Sequence, residues 1–209
     1  RIFTADNEVA FTKWLNSVVD LIDSLDKNHL ISTGSEGKAG SNDDIKAFER
    51  THKNPKIDYL TMHIWPKNWT WYKVEDEKGT TPIAIEKTLA YINEHIAVAK
   101  TLSRPIVLEE FGYPREKESL SKKSSIENRN TFYKAIFERL ASSVENKEGF
   151  TALNFWGYGG IGKNNPEDGK WKKGDDFTAD PPQEPQGLNS VFSSDKSTMK
   201  MIKKYNSKF

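Results

Sequence analysis

Apolar runs of strand length alternate with helical periodicity four times along this chain, and that alternation constrains the fold more than any other feature. A leading helix is predicted over 6–26, where Phe11, Trp14, Leu15, Val18, Ile22 and Leu25 recur at steps of three and four as one buried face. Residues 28–34 form a short apolar run stopped by glycine, which reads as a buried strand, and a short helix is predicted over 43–51. The second strand, 57–65, is closed by Pro66, which cannot donate to a ladder. The helix predicted over 82–102 carries Ile85, Leu89, Ile92, Ile96 and Ala99 on one face, with Pro82 in its first turn. A third strand, 105–110, leads to a helix over 126–145 marked by Phe132, Ile136, Phe137, Leu140 and Val144. The run 150–156 is the fourth strand, and a helix over 195–205 ends the pattern. Between them the loop 157–190, rich in glycine, proline and charge, is longer than ordinary connections and is expected to be functional.

Strand and helix in alternation imply parallel strands joined by right-handed crossovers. Two α/β architectures satisfy this: a doubly wound open sheet, or part of a (β/α)8 barrel. Four units are half of such a barrel, which typically takes about 250 residues. On the barrel reading, the first half lies outside these 209 residues.

Charge narrows the partners. With 31 Lys+Arg against 30 Asp+Glu the formal net charge is +1, so nucleic acid and polybasic membrane contacts are not expected. The 6 Trp, 7 Tyr and 11 Phe argue against disorder, because disordered chains are poor in aromatics. Absence of cysteine removes a disulfide framework, a thiolate nucleophile and Cys-based metal sites. No apolar run approaches the roughly 20 residues that cross a bilayer, so no membrane span is expected. The first six residues lack a signal peptide's apolar core, so either the protein is cytosolic or its true N-terminus is not shown.

Glu109 and Glu110 sit together at the C-terminal end of an apolar strand, where successive side chains face opposite ways and one must point inward. In parallel α/β proteins that end of the strands is where active sites form. His63 and Trp65, two apart, share a face of their strand, and Trp156 ends another. Aromatic faces stack on sugar rings while carboxylates attack or protonate at the glycosidic linkage, so a sugar is the ligand that this set suits. Read singly, His63 would be a core histidine and the tryptophans ordinary core. Two other patterns fail on their details. Residues 157–163 have the glycine and lysine spacing of a phosphate-binding loop, but Asn164 replaces the required Ser or Thr and 165–169 cannot open a helix. Asn68-Trp69-Thr70 is a glycosylation sequon of a kind common by chance. The four histidines show no metal-ligand spacing and no serine lies in a nucleophile elbow, so no metal and no cofactor are expected.

Residues 105–112, Pro-Ile-Val-Leu-Glu-Glu-Phe-Gly, resemble the seventh strand of glycoside hydrolase family 5, and 58–69, Asp-Tyr-Leu-Thr-Met-His-Ile-Trp-Pro-Lys-Asn-Trp, its sixth strand as found in endo-β-1,4-mannanases. Residues 30–37 resemble the fifth strand, 153–157 the eighth, and 180–187 the long loop after it. The resemblance implies that 1-209 is the C-terminal half of a single (β/α)8 TIM-barrel catalytic domain, strands 5 to 8. It implies retaining, endo-acting hydrolysis of β-1,4-mannosidic bonds in mannan, galactomannan or glucomannan.

The glutamate directly before Phe-Gly is the family's nucleophile, which carries over to Glu110, its carboxylate bonded by neighbours such as His63. Glu109 becomes a strand neighbour turned toward the helices. His63 matches the sixth-strand histidine and Trp156 the tryptophan beneath the sugar, while Trp65 stands where many members have tyrosine. Trp65, Trp69, Trp156 and Trp171 are expected to line an open groove that admits a polymer. The acid/base glutamate of an Asn-Glu-Pro motif has no counterpart here, and Arg1 resembles the residue just after it. The implied partners are a β-mannan polysaccharide and the missing N-terminal half of the barrel. The implied place is extracellular, periplasmic or cell-surface. The rival readings are an endo-β-1,4-glucanase of the same family and a non-catalytic carbohydrate-binding barrel fragment.

Overall fold

The computed structural model describes residues 4–165 and 167–207; Arg1 and Pro166 lie outside the described residues. In chain order the elements are α1 (Glu8–Leu25), α2 (Ile45–Thr51), β1 (Leu60–Ile64), α3 (Glu77–Leu102), β2 (Ile106–Phe111), α4 (Glu127–Glu145), β3 (Phe150–Leu153), β4 (Tyr158–Gly160), β5 (Val191–Phe192) and α5 (Lys196–Asn206). The main sheet has the order β1-β2-β3, and β2 runs parallel to β3 with Ile106 opposite Phe150 and Leu108 opposite Leu153. The alternating α/β pattern is therefore present, with three of the four expected strands adjacent in chain order.

The expected first strand is the exception. Residues 30–36 run without a ladder of their own. Asp58 offers its side chain as well as its backbone there: its carboxylate accepts from Ile31 N–H at 2.7 Å while its own N–H donates to Ile31 O at 2.9 Å. Further along, Thr61 Oγ1 donates to Ser35 O at 2.9 Å and His63 N–H donates to Glu36 O at 3.2 Å. Side chains taking the place of ladder partners hold the segment in line but break the regular repeat that defines a strand.

The chain forms two compact units. One comprises the chain up to Ile64 with Ala90–Glu109 and Ser143–Leu153; the other comprises Trp65–Leu89, Glu110–Ser142 and the chain from Asn154. In the first, Leu60, Met62, Ile64, Ile106, Leu108 and Phe150 are wholly buried with Phe48 and Ile57. In the second, Phe111, Tyr113, Phe132, Tyr133, Ile136 and Phe192 are wholly buried, and Phe137 stacks on Tyr205 at 5.2 Å.

Two helices depart from their expected form. On α1 only Leu15 and Val19 are buried, while Trp14, Ile22 and Leu25, expected in the core, are exposed. Helix α3 starts five residues before Pro82, which therefore sits in its second turn and not its first. Thr80 secures the added turn: its hydroxyl donates to Asp76 O at 2.6 Å and accepts from Lys73 N–H at 3.1 Å. On α4, Val144 is 40% exposed, whereas Phe132, Ile136, Phe137 and Leu140 are buried as expected.

Two histidines occupy the interior of the first unit. Phe48 packs against both rings, at 4.3 Å from His52 and 5.3 Å from His95. His95 Nδ1–H donates to Tyr91 O at 2.7 Å and its Nε2 accepts from Lys38 N–H at 2.9 Å. His52 Nδ1–H donates to Phe48 O at 2.7 Å. Burial pushes both imidazoles down to about 4 from the ordinary 6.5. Because the unfolded chain binds these protons first, the stabilisation is fully present above pH 6.5 and is lost as pH falls through 6.5 toward 4. The expected cost is about 1.4 kcal/mol per pH unit for each ring in that window. Urea midpoints of the full-length protein across this range should fall accordingly, and a flat profile would contradict the assignment.

Candidate active site

Alternation along β1 and β2 decides which side chains are available for chemistry. Leu60, Met62 and Ile64 share one face of β1 and Thr61 and His63 the other, and all five are buried. On β2, Ile106 and Leu108 are wholly buried while Val107 and Glu109 are half-buried on the opposite face. The sequence suggested a Glu109 turned toward the helices; here it meets a histidine of β1. Its Oε2 lies 3.3 Å from His63 Nε2, and its side chain is 33% exposed. A carboxylate only accepts, so the proton of this bond is on His63 Nε2. Gly34 lies beside the pair: a Cβ there would come 3.8 Å from Glu109 Oε2.

In the second unit, Glu110 accepts from Trp65 Nε1–H at 3.3 Å. Both side chains are half-buried. Pro66 ends the strand, and a turn follows in which Trp69 N–H donates to Trp65 O at 3.0 Å and Trp71 N–H to Pro66 O at 2.8 Å. Trp156 is fixed by its backbone, its N–H donating to Phe111 O at 2.7 Å, while its indole N–H is buried without a partner. Gly112 is where these groups meet. A Cβ at that position would lie 2.5 Å from Trp65 Cζ3 and 3.0 Å from Trp156 O, so only glycine lets the Trp65 ring sit where its N–H reaches Glu110. Gly112→Ala should therefore displace the Trp65 ring from its bond to Glu110, which a shift in tryptophan emission would report. An unchanged emission spectrum would show that the ring keeps its place.

A carboxylate at a strand's C-terminal end, held by an indole donor with the backbone of a second tryptophan close to the next glycine, has the chemistry that suits a sugar. The whole chain, residues 1–209, matches the family model described as glycoside hydrolase family 5, β-mannosidase-like. The chain belongs to that family. A family 5 mannosidase from Rhizomucor miehei superposes with a TM-score of 0.82 at 31% identity, over 94% of this chain and 47% of that one. One of that enzyme's mutants has been solved with mannosyl-fructose. The endo-β-1,4-mannanase of Thermotoga petrophila shares the fold at a TM-score of 0.61 and 21% identity, over 98% of this chain and 41% of that one. Mannan endo-1,4-β-mannosidase 2 of Arabidopsis thaliana is 26% identical over 157 residues, 68% of this chain and 34% of its own. The family 5 chain thus spans about half of the Rhizomucor enzyme and about a third of the Arabidopsis one.

The remaining candidates of this family 5 chain are more scattered. Trp69 packs edge-on against Trp71 at 4.9 Å, a neighbour that the sequence reading passed over although it lies only two residues on. Lys67, in the same turn, pairs with Glu118. Trp171 stacks on Phe177 at 5.6 Å and, among the described residues, shares no ring contact or hydrogen bond with Trp65, Glu110 or Trp156. The long loop is ordered by buried polar groups. Asp180 accepts from Gly187 N–H at 2.8 Å and Ser190 Oγ at 2.6 Å, and Gln186 Nε2 donates to Asp180 O at 2.9 Å. The glycine and lysine run 157–163 enters β4, which pairs in parallel with β5 and opens no helix. Among the described residues no group of three or more His, Asp or Glu is placed to hold a metal.

Proposed function

We propose that the protein containing this chain is a retaining glycoside hydrolase of β-1,4-mannosidic bonds, and that residues 1-209 form strands 5 to 8 of its (β/α)8 barrel. The observation that carries the reading is the Trp65 Nε1–H bond to Glu110 at the end of β2, in a chain of family 5. Glu110 is the nucleophile. Its ionised carboxylate attacks the anomeric carbon, the glycosidic C–O bond breaks, and the leaving oxygen takes a proton from a second carboxylic acid about 5 Å away. Water then displaces Glu110 from the glycosyl-enzyme, the second carboxylate accepting its proton. That second group belongs to the part of the protein outside this chain. The indole N–H of Trp65 orients the attacking carboxylate and cannot itself exchange a proton with it. Trp156 and Trp69 stack on sugar rings, His63 bonds their hydroxyls, and Trp171 reaches substrate farther out on the long loop. A polymeric substrate places the protein outside the cell, in the periplasm or at the cell surface.

The curated relatives named as mannan endo-1,4-β-mannosidases favour endo-action on polymer. A second reading, exo-action from a chain end, is favoured by the β-mannosidase-like description of the family model and by the Rhizomucor mannosidase. Incubating the full-length protein with mannan decides between them. A rapid fall in viscosity with few new reducing ends supports endo-action, and steady release of mannose at constant viscosity supports exo-action. Turnover of cellulose alone would reassign the protein as a glucanase, and retention on mannan without turnover would make it a binding module.

A further inference from the structure

We propose that the exposed face of α5, together with the cleft between α5 and α4, binds an acidic polysaccharide, a chain of uronic acids whose carboxylates lie along a row of lysines. The choice of a carbohydrate partner rests on the reading of the protein as a polysaccharide hydrolase. The site itself is built from residues that take no part around Glu110.

Helix α5 carries Lys196, Lys200, Lys203 and Lys204, all of them exposed. At a helix's turn and rise per residue they fall within an arc of about 100° over a length of about 12 Å. No acidic residue follows Asp195 in the chain, and Asp195 is buried against Arg115. Lys204 acts on Glu138, which is bonded to Lys134 and Tyr205. Among the described residues Lys196, Lys200 and Lys203 form no ion pair. Exposed helix faces ordinarily mix their signs, as Lys134 and Glu138 do on α4, because like charges a turn apart repel. The helix dipole accounts for Lys203 and Lys204 in the last turn but disfavours Lys196 in the first. The row therefore works against the helix that carries it, and an anionic ligand would reverse that.

Beside the row, an open cleft of about 520 Å³ runs between α5 and the start of α4, lined by Ser125, Glu127, Asn130, Thr131, Lys134 and Ser197 among others. Asn130 ties the two helices there, donating to Ser197 Oγ at 2.9 Å and accepting from Thr198 Oγ1 at 2.6 Å. Hydroxyl, amide and charged groups around one cleft suit the hydroxyls and carboxylates of a sugar. Lysine ammoniums are independent point charges, which match a chain of repeating charges better than one oriented phosphate, for which the arginine fork is the better donor. A lipid surface fits less well, because a helix lying in a membrane interface sinks an exposed apolar face. The apolar side of α5 is already packed: Tyr205 is buried on Phe137, and no large apolar side chain of the helix is exposed. Nucleic acid fits less well too, since a net charge of +1 provides no basic field beyond the row.

The probe is polygalacturonate. The unsubstituted full-length protein should bind it, with affinity falling about 10- to 20-fold between about 50 mM and about 200 mM salt as three lysines release counterions. A triple variant, Lys196→Gln with Lys200→Gln and Lys203→Gln, should lose at least about tenfold in affinity and most of the salt dependence. Its kcat/KM on a β-mannoside should be unchanged and its urea midpoint not lowered. The corresponding triple change to arginine keeps the charges and should keep the affinity. No binding of polygalacturonate, equal binding by the glutamine variant, or loss of binding in the arginine variant would each overturn the site. Tighter binding of phosphatidylserine vesicles or duplex DNA than of polygalacturonate would overturn the assigned partner. Absence of mannan turnover would strike the catalytic reading alone, because the binding is measured without it.

Discussion

Glu110→Gln in the full-length protein is expected to lower kcat/KM on β-mannosides by about 10⁴-fold or more while leaving mannan affinity largely unchanged. Glutamine keeps the shape of the side chain and can still accept from Trp65 Nε1–H, which the structure places 3.3 Å from Glu110. It cannot form the glycosyl-enzyme, because an amide oxygen is a poor nucleophile at carbon. A loss of that size corresponds to about 5.4 kcal/mol of transition-state stabilisation, within the range found when a covalent nucleophile is removed. Stacking on tryptophan does not depend on the charge, so ground-state binding survives. Glu109→Gln is expected to cost far less, on the order of tenfold, since an amide oxygen can still accept from His63 Nε2–H. The two carboxylates are told apart by trapping with a slow fluorinated mannosyl substrate and mapping the labelled peptide by mass spectrometry. A label on Glu109, or no covalent label at all, would overturn the assignment.

That pair also shows how far the sequence could be read. The run Ile106 to Phe111 is legible as a strand because apolar residues bounded by Pro105 and Gly112 have few other uses. Alternation implies that Glu109 and Glu110 diverge, but it does not say which of them faces the helices. Deciding that requires knowing what each carboxylate meets, His63 for Glu109 and Trp65 for Glu110, which comes from the packing of whole elements. Helix α1 departs from its expected burial for the complementary reason. Periodicity reports the full apolar arc of a helix and not how much of it one unit covers, so Trp14 and Leu25 look like core in sequence and are exposed in the structure. Composition marks 28–34 as a strand, whereas strand status depends on ladder partners that Asp58 and Thr61 partly replace. Gly112 was within the quoted motif all along; its use, making room for Trp65, depends on a ring brought from 47 positions away in the chain.

Asp195→Ala should be among the most destabilising single changes in the second unit, at about 3–5 kcal/mol. Asp195 accepts twice from Arg115 Nη2 at 2.6 Å, accepts from Phe192 N–H at 3.0 Å, and lies 3.4 Å from Arg129 Nη1. Both arginines are essentially inaccessible, at 1% and 0% exposure. Arg129 is otherwise held by carbonyl oxygens, its Nε–H donating to Tyr113 O at 2.9 Å and Nη1 to Ser190 O at 3.0 Å. Burial, with the neighbouring Arg115 adding to it, draws its guanidinium down to about 10, so the interior already resists this charge with Asp195 in place. Removing the carboxylate strands two cations at once, and the cost is chiefly that of leaving them unpaired. The exposed Lys134–Glu138 pair, one helical turn apart at 2.6 Å, is the contrast: solvent screens it, and breaking it should barely move the midpoint. Urea midpoints of the full-length protein measure both. Adding Arg115→Met to Asp195→Ala should recover part of the loss, because one stranded charge is replaced by an apolar chain of similar reach. A double variant no more stable than Asp195→Ala alone would mean that Arg115 is not the charge that Asp195 compensates.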